Sequence, residues 1–456
     1  MIKNFSQKYT VSNRWILRND PNYHTPYTLF NVDRRIIINI SAALFYIIKM
    51  LYYNALSMNE ITSYLNSKSI TFNPENLIKI EKEHNAYDLF IESTKPYHSI
   101  ESQNSTELTN TLVPVTATPM DVEMHFTHNC NLKCKHCFQE SDSHSDKKAL
   151  LQPEKWIEIF KQFENLNMYT IIISGGEPLY YKGFEKVMRE VINYRLNYII
   201  FTNGMLITPS NINIFKHDNI QLTISSDGHN AEFHEILRGK NTFDKLNDKL
   251  DLLIKNNVNI NIAHTLNKKN YLFLEELINY LIKKGIKNLS IGIIEPTGRA
   301  AINRELLLNK EEEKDAYNLI KAMDQKYAGK ISLNFPNLSF IENASDYGND
   351  NYVFCSAGTK RIAISSDGIL YPCIYAFNFK NLAIGNLKKD TIYDLWIKDD
   401  LWQKYRGGIT ISQIKTCCTC QHRNACALRN CRLNNYTPEN GLYAKPKNCL
   451  IDKLIL

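Results

Sequence analysis

Along residues 119–303, short apolar runs rich in Ile, Val and Tyr alternate with longer stretches whose apolar residues recur every three or four positions. The short runs read as strands: Val122–Thr127, Thr170–Ile173, Tyr198–Thr202, Gln221–Ile224, Asn259–His264 and Asn288–Ile294. The longer stretches read as amphipathic helices: Pro153–Glu164, Phe184–Tyr194, Phe243–Asn256 and Leu272–Lys284. Repeated βα units imply a parallel sheet with right-handed crossovers. Six of them give an α/β fold, a partial (β/α)6 TIM-like barrel, closed or open.

The flanks differ. Within residues 1–110, Tyr27–Asn31 and Arg35–Ile40 read as two strands around Val32-Asp33-Arg34, followed by a helix near Ser41–Tyr53. Ser57 with Glu60 three residues on forms a capping box and starts a second helix through Leu65. Ile70–Phe72 suggests a further strand and Leu77–His84 a further helix, giving a winged-helix-like module. Ile100–Thr118, rich in Ser, Thr, Asn and Gln, reads as a linker. From Ala301 the chain is helical at first. Over residues 340–456 it is short-patterned and cysteine-rich, and bound metal would give it order. The apolar stretch Ile36–Leu56 could span a bilayer by length. Asn39, Ser41, Lys49 and Asn54 interrupt it, so a buried strand and a buried helix are expected and no membrane span.

Composition narrows the class. With 44% hydrophobic and 22% charged residues, the chain belongs among soluble globular proteins. The net charge of +7 is spread along the chain without a basic run, which fits a solvated surface better than a nucleic-acid face. The helix Met58–Asn66 carries no Lys or Arg, which also speaks against DNA. Met1–Arg14 lacks the apolar core of a secretory signal, so a reducing, cytoplasmic setting is expected. There, eleven cysteines read as metal ligands, not as a disulfide framework.

Their placement carries the chemistry. Cys130, Cys134 and Cys137 form C-x3-C-x2-C directly after the first strand. Three thiolates can hold three irons of a cubane and leave the fourth open. A zinc knuckle would need a fourth ligand, for which His125, His128 and His136 are at hand. After later strands come Ser174-Gly175-Gly176-Glu177-Pro178, Asn203-Gly204, Ser225-Ser226-Asp227-Gly228 and Glu295-Pro296-Thr297-Gly298. In a βα barrel these loops share the C-terminal rim, where active sites assemble.

C-x3-C-x2-C followed 38 residues later by Gly-Gly-Glu-Pro resembles the radical S-adenosylmethionine (SAM) superfamily. The resemblance implies a [4Fe–4S] cluster on Cys130, Cys134 and Cys137, whose open iron chelates SAM. The reduced cluster would cleave SAM to a hydrogen-abstracting 5′-deoxyadenosyl radical. Gly175, Gly176 and Glu177 would meet the SAM amino group, Ser225 and Asp227 the ribose, and Pro296 the adenine. His136 stands where the family usually has an aromatic residue. Arg238-Gly239 resembles a further family segment, although a surface position fits this arginine equally well.

Cys355, Gly368 and Cys373, in C-x12-G-x4-C spacing, precede Cys417, Cys420, Cys426, Cys431 and Cys449. This resembles the SPASM extension, with Cys426–Cys431 one residue longer than usual. The extension implies two auxiliary [4Fe–4S] clusters, the first on Cys355, Cys373 and Cys431 and the second on Cys417, Cys420, Cys426 and Cys449. The first would keep an open iron or take Cys418. In this context the N-terminal module is similar to a PqqD-like recognition element, which captures a leader peptide as an added strand.

The whole resembles maturases of ribosomally made, modified peptides, and most closely those forming thioethers between a cysteine sulfur and an α-carbon (sactipeptides). Carbon–carbon crosslinking, epimerisation and sulfatase Ser or Cys oxidation are alternatives, and a zinc-binding DNA-binding regulator is one of another class. The implied partners are a precursor peptide with a leader and an electron donor such as flavodoxin or ferredoxin.

Overall fold

The computed structural model describes residues 2–20, 25–96, 115–146, 150–335, 355–414, 416–420, 432–433, 436–437 and 439–445. The N-terminal part runs β1 (Lys8–Val11), β2 (Trp15–Asn19), β3 (Tyr27–Asn31), β4 (Ile36–Asn39), α1 (Ala42–Tyr53), β5 (Leu56–Ser57), α2 (Met58–Ser67), α3 (Glu75–Glu83) and β6 (Phe90–Glu92). β2, β3 and β4 form one antiparallel sheet, and β1 pairs with β5 and β6 in a second. Ser41 caps α1, and Ser57 with Glu60 forms the expected capping box on α2. Ile70–Phe72 is not a strand. Phe72 instead packs into the module's own core with Leu77 and Ile80. The apolar stretch from Ile36 divides into β4 and the 12-residue α1, and among the described residues no helix is long and apolar enough to cross a membrane.

The central part contains β7 (Asp121–His125), α4 (Pro153–Asn165), β8 (Thr170–Ser174), α5 (Phe184–Val191), β9 (Asn197–Thr202), β10 (Ile220–Ser225), α6 (Ala231–Arg238), α7 (Phe243–Lys255), β11 (Ile260–Leu266), α8 (Leu274–Lys283), β12 (Asn288–Ile293), α9 (Lys310–Lys326) and β13 (Ser332–Asn334). Then follow β14 (Arg361–Ile364), β15 (Ile369–Tyr371), β16 (Gly385–Asn386), α10 (Ile392–Trp396) and α11 (Asp399–Trp402). One ten-stranded sheet runs β13-β12-β11-β10-β9-β8-β7-β14-β15-β16. Its strands from β13 to β14 are parallel, and β15 and β16 are antiparallel. The barrel is therefore open: β7 pairs with β14 of the C-terminal part, and β13 adds a strand beyond the expected limit at Asn303.

Strand register gives this sheet two unlike faces. Val122, Met124, Ile171, Ile173, Ile200, Leu222 and Ile224 face the helices and are fully buried. Glu123, Ser174, Phe201, Thr223, Asn261 and Ser290 share the other face. A TIM barrel fills its interior with branched apolar side chains. This inner face is mixed: Ile172, Ile199 and Phe201 lie among its polar side chains, and Phe201 is 38% exposed.

Residues 355–414 share the barrel's apolar core through Ile362, Leu387, Leu395, Trp396 and Trp402. Arg406 lies over the rings of Trp396 and Trp402, 4.6 and 5.4 Å from their centroids, and donates to the carbonyls of Gly358 and Trp396. The expected linker is pinned at its end: Val115–Thr118 are buried, and the Thr116 carbonyl accepts from Trp396 Nε1 at 3.1 Å.

Candidate active site

The loop after β7 folds back on itself. Asp146 accepts from Thr127 Oγ1 and from the His128 backbone N–H, while Cys130 N donates to Asp142 O at 2.8 Å. The second strand's glycines then pack on this loop. Gly175 has φ +123°, and its added Cβ would run into Thr127 O and the His125 ring. A Cβ on Gly176 would overlap the carbonyls of His128 and Asn129. Gly176 N donates to Thr127 O and Glu177 N to Asn129 O. The glycines thus let two rim loops meet backbone to backbone.

Cys130, Cys134 and Cys137 line one cavity of about 410 Å³ together with His136, Gly175, Gly176, Glu177 and Ser225. Burial pushes the Cys130 thiol up to about 12 and raises Cys134 as well. Such a site does not favour bare thiolates, and a bound cluster would compensate their charge. Four donors already point at the sulfurs. Leu132 N and Asn203 Nδ2 approach Cys130 Sγ at 3.4 and 3.7 Å, Ser141 N approaches Cys137 Sγ at 3.4 Å, and Arg238 Nη1 approaches Cys134 Sγ at 3.9 Å. N–H···S contacts of this kind set the potential of iron–sulfur clusters. Ser141 Oγ and His136 Nδ1 are buried at this cavity without a hydrogen-bond partner among the described residues. Among those residues, no three His, Cys, Asp or Glu side chains close on a point that would hold a single metal ion. Three thiols ringing a cavity suit a cluster better than a zinc ion.

The cavity has two oppositely charged walls. Glu177 is buried, accepting from Thr202 Oγ1 at 2.7 Å, Asn203 N at 2.8 Å and Leu179 N at 3.2 Å. Burial outweighs these hydrogen bonds and pushes its carboxyl up to about 7. Opposite stands Arg238, at the C-terminus of α6, bound through Nε to Asp227 Oδ2 at 2.6 Å. Its side chain is 10% exposed, so the surface reading of this arginine is corrected: it is a buried wall of the cavity.

Two of the residues expected at SAM, Asp227 and Pro296, are placed beside the cavity and not on its lining. Asp227 does not line the cavity. It is fully buried, accepts from Thr265 N with its other oxygen, and orients Arg238 from behind. Burial alone pushes its carboxyl up, but the Arg238 guanidinium holds it well below the usual carboxylate range. Pro296 is exposed at the apex of a tight turn in which Thr297 N donates to Glu295 O. Its neighbours Ile294, Glu295 and Thr297 line the cavity in its place. His136 lines the cavity, 3.4 Å from Arg238 Nη2, and burial lowers its ring to about 4, so it is neutral.

Arg299 and Tyr375 were not legible as site residues. Gly298 (φ +54°) allows close approach to the Cys137 and Phe138 carbonyls, and Arg299 then donates to Cys134 O at 2.7 Å and Ser141 O at 2.8 Å. Arg299→Ala removes both bonds, a loss of about 1–3 kcal/mol in loop stability. Iron should be stripped faster by a chelator from that variant than from the parent. Tyr375, two residues after Cys373, closes the cavity from the C-terminal part and meets Phe138 edge-on at 4.9 Å. Of the auxiliary cysteines, Cys355, Cys373, Cys417, Cys418 and Cys420 are partly buried. Cys417–Cys420 form a tight turn in which Cys420 N donates to Cys417 O at 3.2 Å. Cys426, Cys431 and Cys449 lie outside the described residues.

Residues 124–271 match the radical SAM superfamily, and residues 355–422 match the iron–sulfur cluster-binding SPASM domain. The chain thus contains a radical SAM domain and a SPASM domain, which mark it as an enzyme and imply a SAM-binding [4Fe–4S] cluster and auxiliary clusters. It is 26% identical over 311 residues to the mycofactocin maturase of Mycolicibacterium smegmatis, covering 68% of this chain and 77% of that one. It is 24% identical to the AdoMet-dependent heme synthase of Methanosarcina barkeri (74% and 98% covered). To the antilisterial bacteriocin subtilosin biosynthesis protein of Bacillus subtilis it is 26% identical (71% and 70% covered). In fold it is similar to Streptococcus suis SuiB, crystallised with S-adenosylmethionine, with a TM-score of 0.73 at 18% identity over 96% of this chain and 99% of that one.

Proposed function

We propose that this enzyme matures a ribosomally made peptide by joining a cysteine sulfur to an α-carbon. The observation that carries the peptide reading is an N-terminal module whose β4 edge is unpaired among the described residues, packed against a barrel that holds the cysteine-lined cavity. SuiB, of the same fold, is known in a structure with its precursor peptide, and the subtilosin protein serves bacteriocin synthesis.

In this reading Cys130, Cys134 and Cys137 hold the cluster, Glu177 takes the SAM ammonium and Arg238 its carboxylate, with Ser225 and His136 on the remaining walls. SAM at the cluster supplies a carbon radical that takes a hydrogen atom. The protein's own part is to hold both ends of the amino acid and exclude water. Cys355, Cys373 and Cys431 hold one auxiliary cluster, and Cys417, Cys420, Cys426 and Cys449 the other. A flavodoxin or ferredoxin supplies electrons. The N-terminal module takes the leader as a strand beside β4.

SAM binding should then tighten as pH rises through about 7, because the Glu177 carboxyl must be ionised to meet an ammonium. Glu177→Gln should bind weakly and lose the pH dependence in equilibrium dialysis. For the reaction, a short cysteine-containing peptide encoded beside the gene is the substrate to test. Loss of two hydrogens together with loss of thiol alkylation supports the thioether. An unchanged mass rejects it in favour of epimerisation or no reaction.

A further inference from the structure

Among the described residues, the N-terminal module hydrogen-bonds to the barrel at one end of the parallel sheet. Arg18 is 4% exposed and pairs with Asp20 at 2.7 and 2.9 Å. The same guanidinium donates to Asn167 O at 2.8 Å and Thr118 O at 3.0 Å, while Asp20 Oδ1 accepts from Ala117 N at 2.9 Å. Ile16, Phe30, Val32 and Tyr169 form a separate buried cluster, with the Phe30 and Tyr169 rings 4.5 Å apart. Arg35 donates to Tyr198 O at 3.2 Å. Thr118, Asn167 and Tyr169 precede β7 and β8, and Tyr198 is the second residue of β9.

The cavity lies at the other end. Cys130, Gly176, Asn203 and Ser225 sit at or beyond the C-terminal ends of β7, β8, β9 and β10. A charged pair as buried as Arg18–Asp20, satisfied by the carbonyls of Leu166, Asn167 and Thr118 and by one N–H, does not open cheaply. An apolar cluster beside it adds to the clamp. The open edge is on the docked sheet itself. Ile37 of β4 pairs with Phe30 of β3, so it lies on the docking face, 47% exposed, directly beside the clamp.

We propose that the module is locked to the barrel and acts as a fixed ruler, so that the captured leader segment and the first modified residue must be separated by at least about five extended residues. That count is the height of the sheet: β8 takes five residues from the docking end to the rim. This rests on the leader reading above and adds a spacing rule to it. The captured strand would lie against both β4 and the barrel's docking end, with an apolar side chain on Ile37.

Two measurements on the full-length holoenzyme test it. Spin labels on p-acetylphenylalanine at Tyr64 of α2 and Lys245 of α7 should give one narrow distance distribution by pulsed EPR, unchanged when SAM is added. A broad or bimodal distribution overturns the ruler. The second uses the gene-adjacent peptide with its spacer shortened residue by residue. Binding by fluorescence anisotropy should persist, and modification should cease below about five residues. Modification at a two-residue spacer overturns the ruler alone. A peptide that does not bind overturns the leader reading and the ruler with it.

Discussion

Cys134→Ser is expected to abolish SAM cleavage while leaving the auxiliary clusters in place. Three cubanes amount to about 12 irons per chain, so the variant should retain about 8. Cys134 sits 8% exposed behind the loop that Arg299 and Gly298 pin, and serine can fill its volume without disturbing that packing. The loss is therefore chemical, not structural. Anaerobic reconstitution, iron analysis and quantification of 5′-deoxyadenosine under dithionite would check it. An unchanged iron content would show that these thiols hold no cluster.

Arg238→Met should be the most destabilising single change near the site. It strands the Asp227 carboxylate, fully buried, with neutral histidines as its remaining neighbours. Removing one partner of a buried pair costs about 3–5 kcal/mol. The double variant Asp227→Asn/Arg238→Met should recover most of that, because the asparagine carbonyl can still accept from Thr265 N. Neither variant should bind SAM well, since the cation on the cavity wall is gone from both. Urea titration gives the stability order and equilibrium dialysis the binding. A single variant as stable as the parent would mean Asp227 does not depend on Arg238.

The burial of Arg238 shows where sequence reasoning stops. The strands β7 to β12 were legible to within a residue or two, because continuous Ile-rich runs have few alternatives. Their loops then placed Cys130, Gly176, Glu177 and Ser225 on one rim with no further information. α6 was not legible. Its order comes from the Asn230 cap and from burying His234 and Leu237 against the barrel, which no local pattern announces. Without that helix, nothing local says that Arg238 meets an aspartate eleven residues earlier.

The same holds for the short strands. β1 pairs with residues 56–57 and 90–92, and β13 is three mostly polar residues held by β12. Their existence is decided by partners distant in sequence, not by their own pattern. Arg299 is the opposite case. It follows Gly298 in a loop whose sequence already marks the rim, and it reaches back to the cysteine loop.

The central claim is that SAM bound in this cavity takes hydrogen from the α-carbon of a peptide bound to the same enzyme. The most direct measurement uses the gene-adjacent peptide with deuterium at its α-carbons. The account predicts one deuterium in 5′-deoxyadenosine for each thioether formed, with a matching loss from the peptide. 5′-Deoxyadenosine free of deuterium, formed while the peptide is modified, would contradict it.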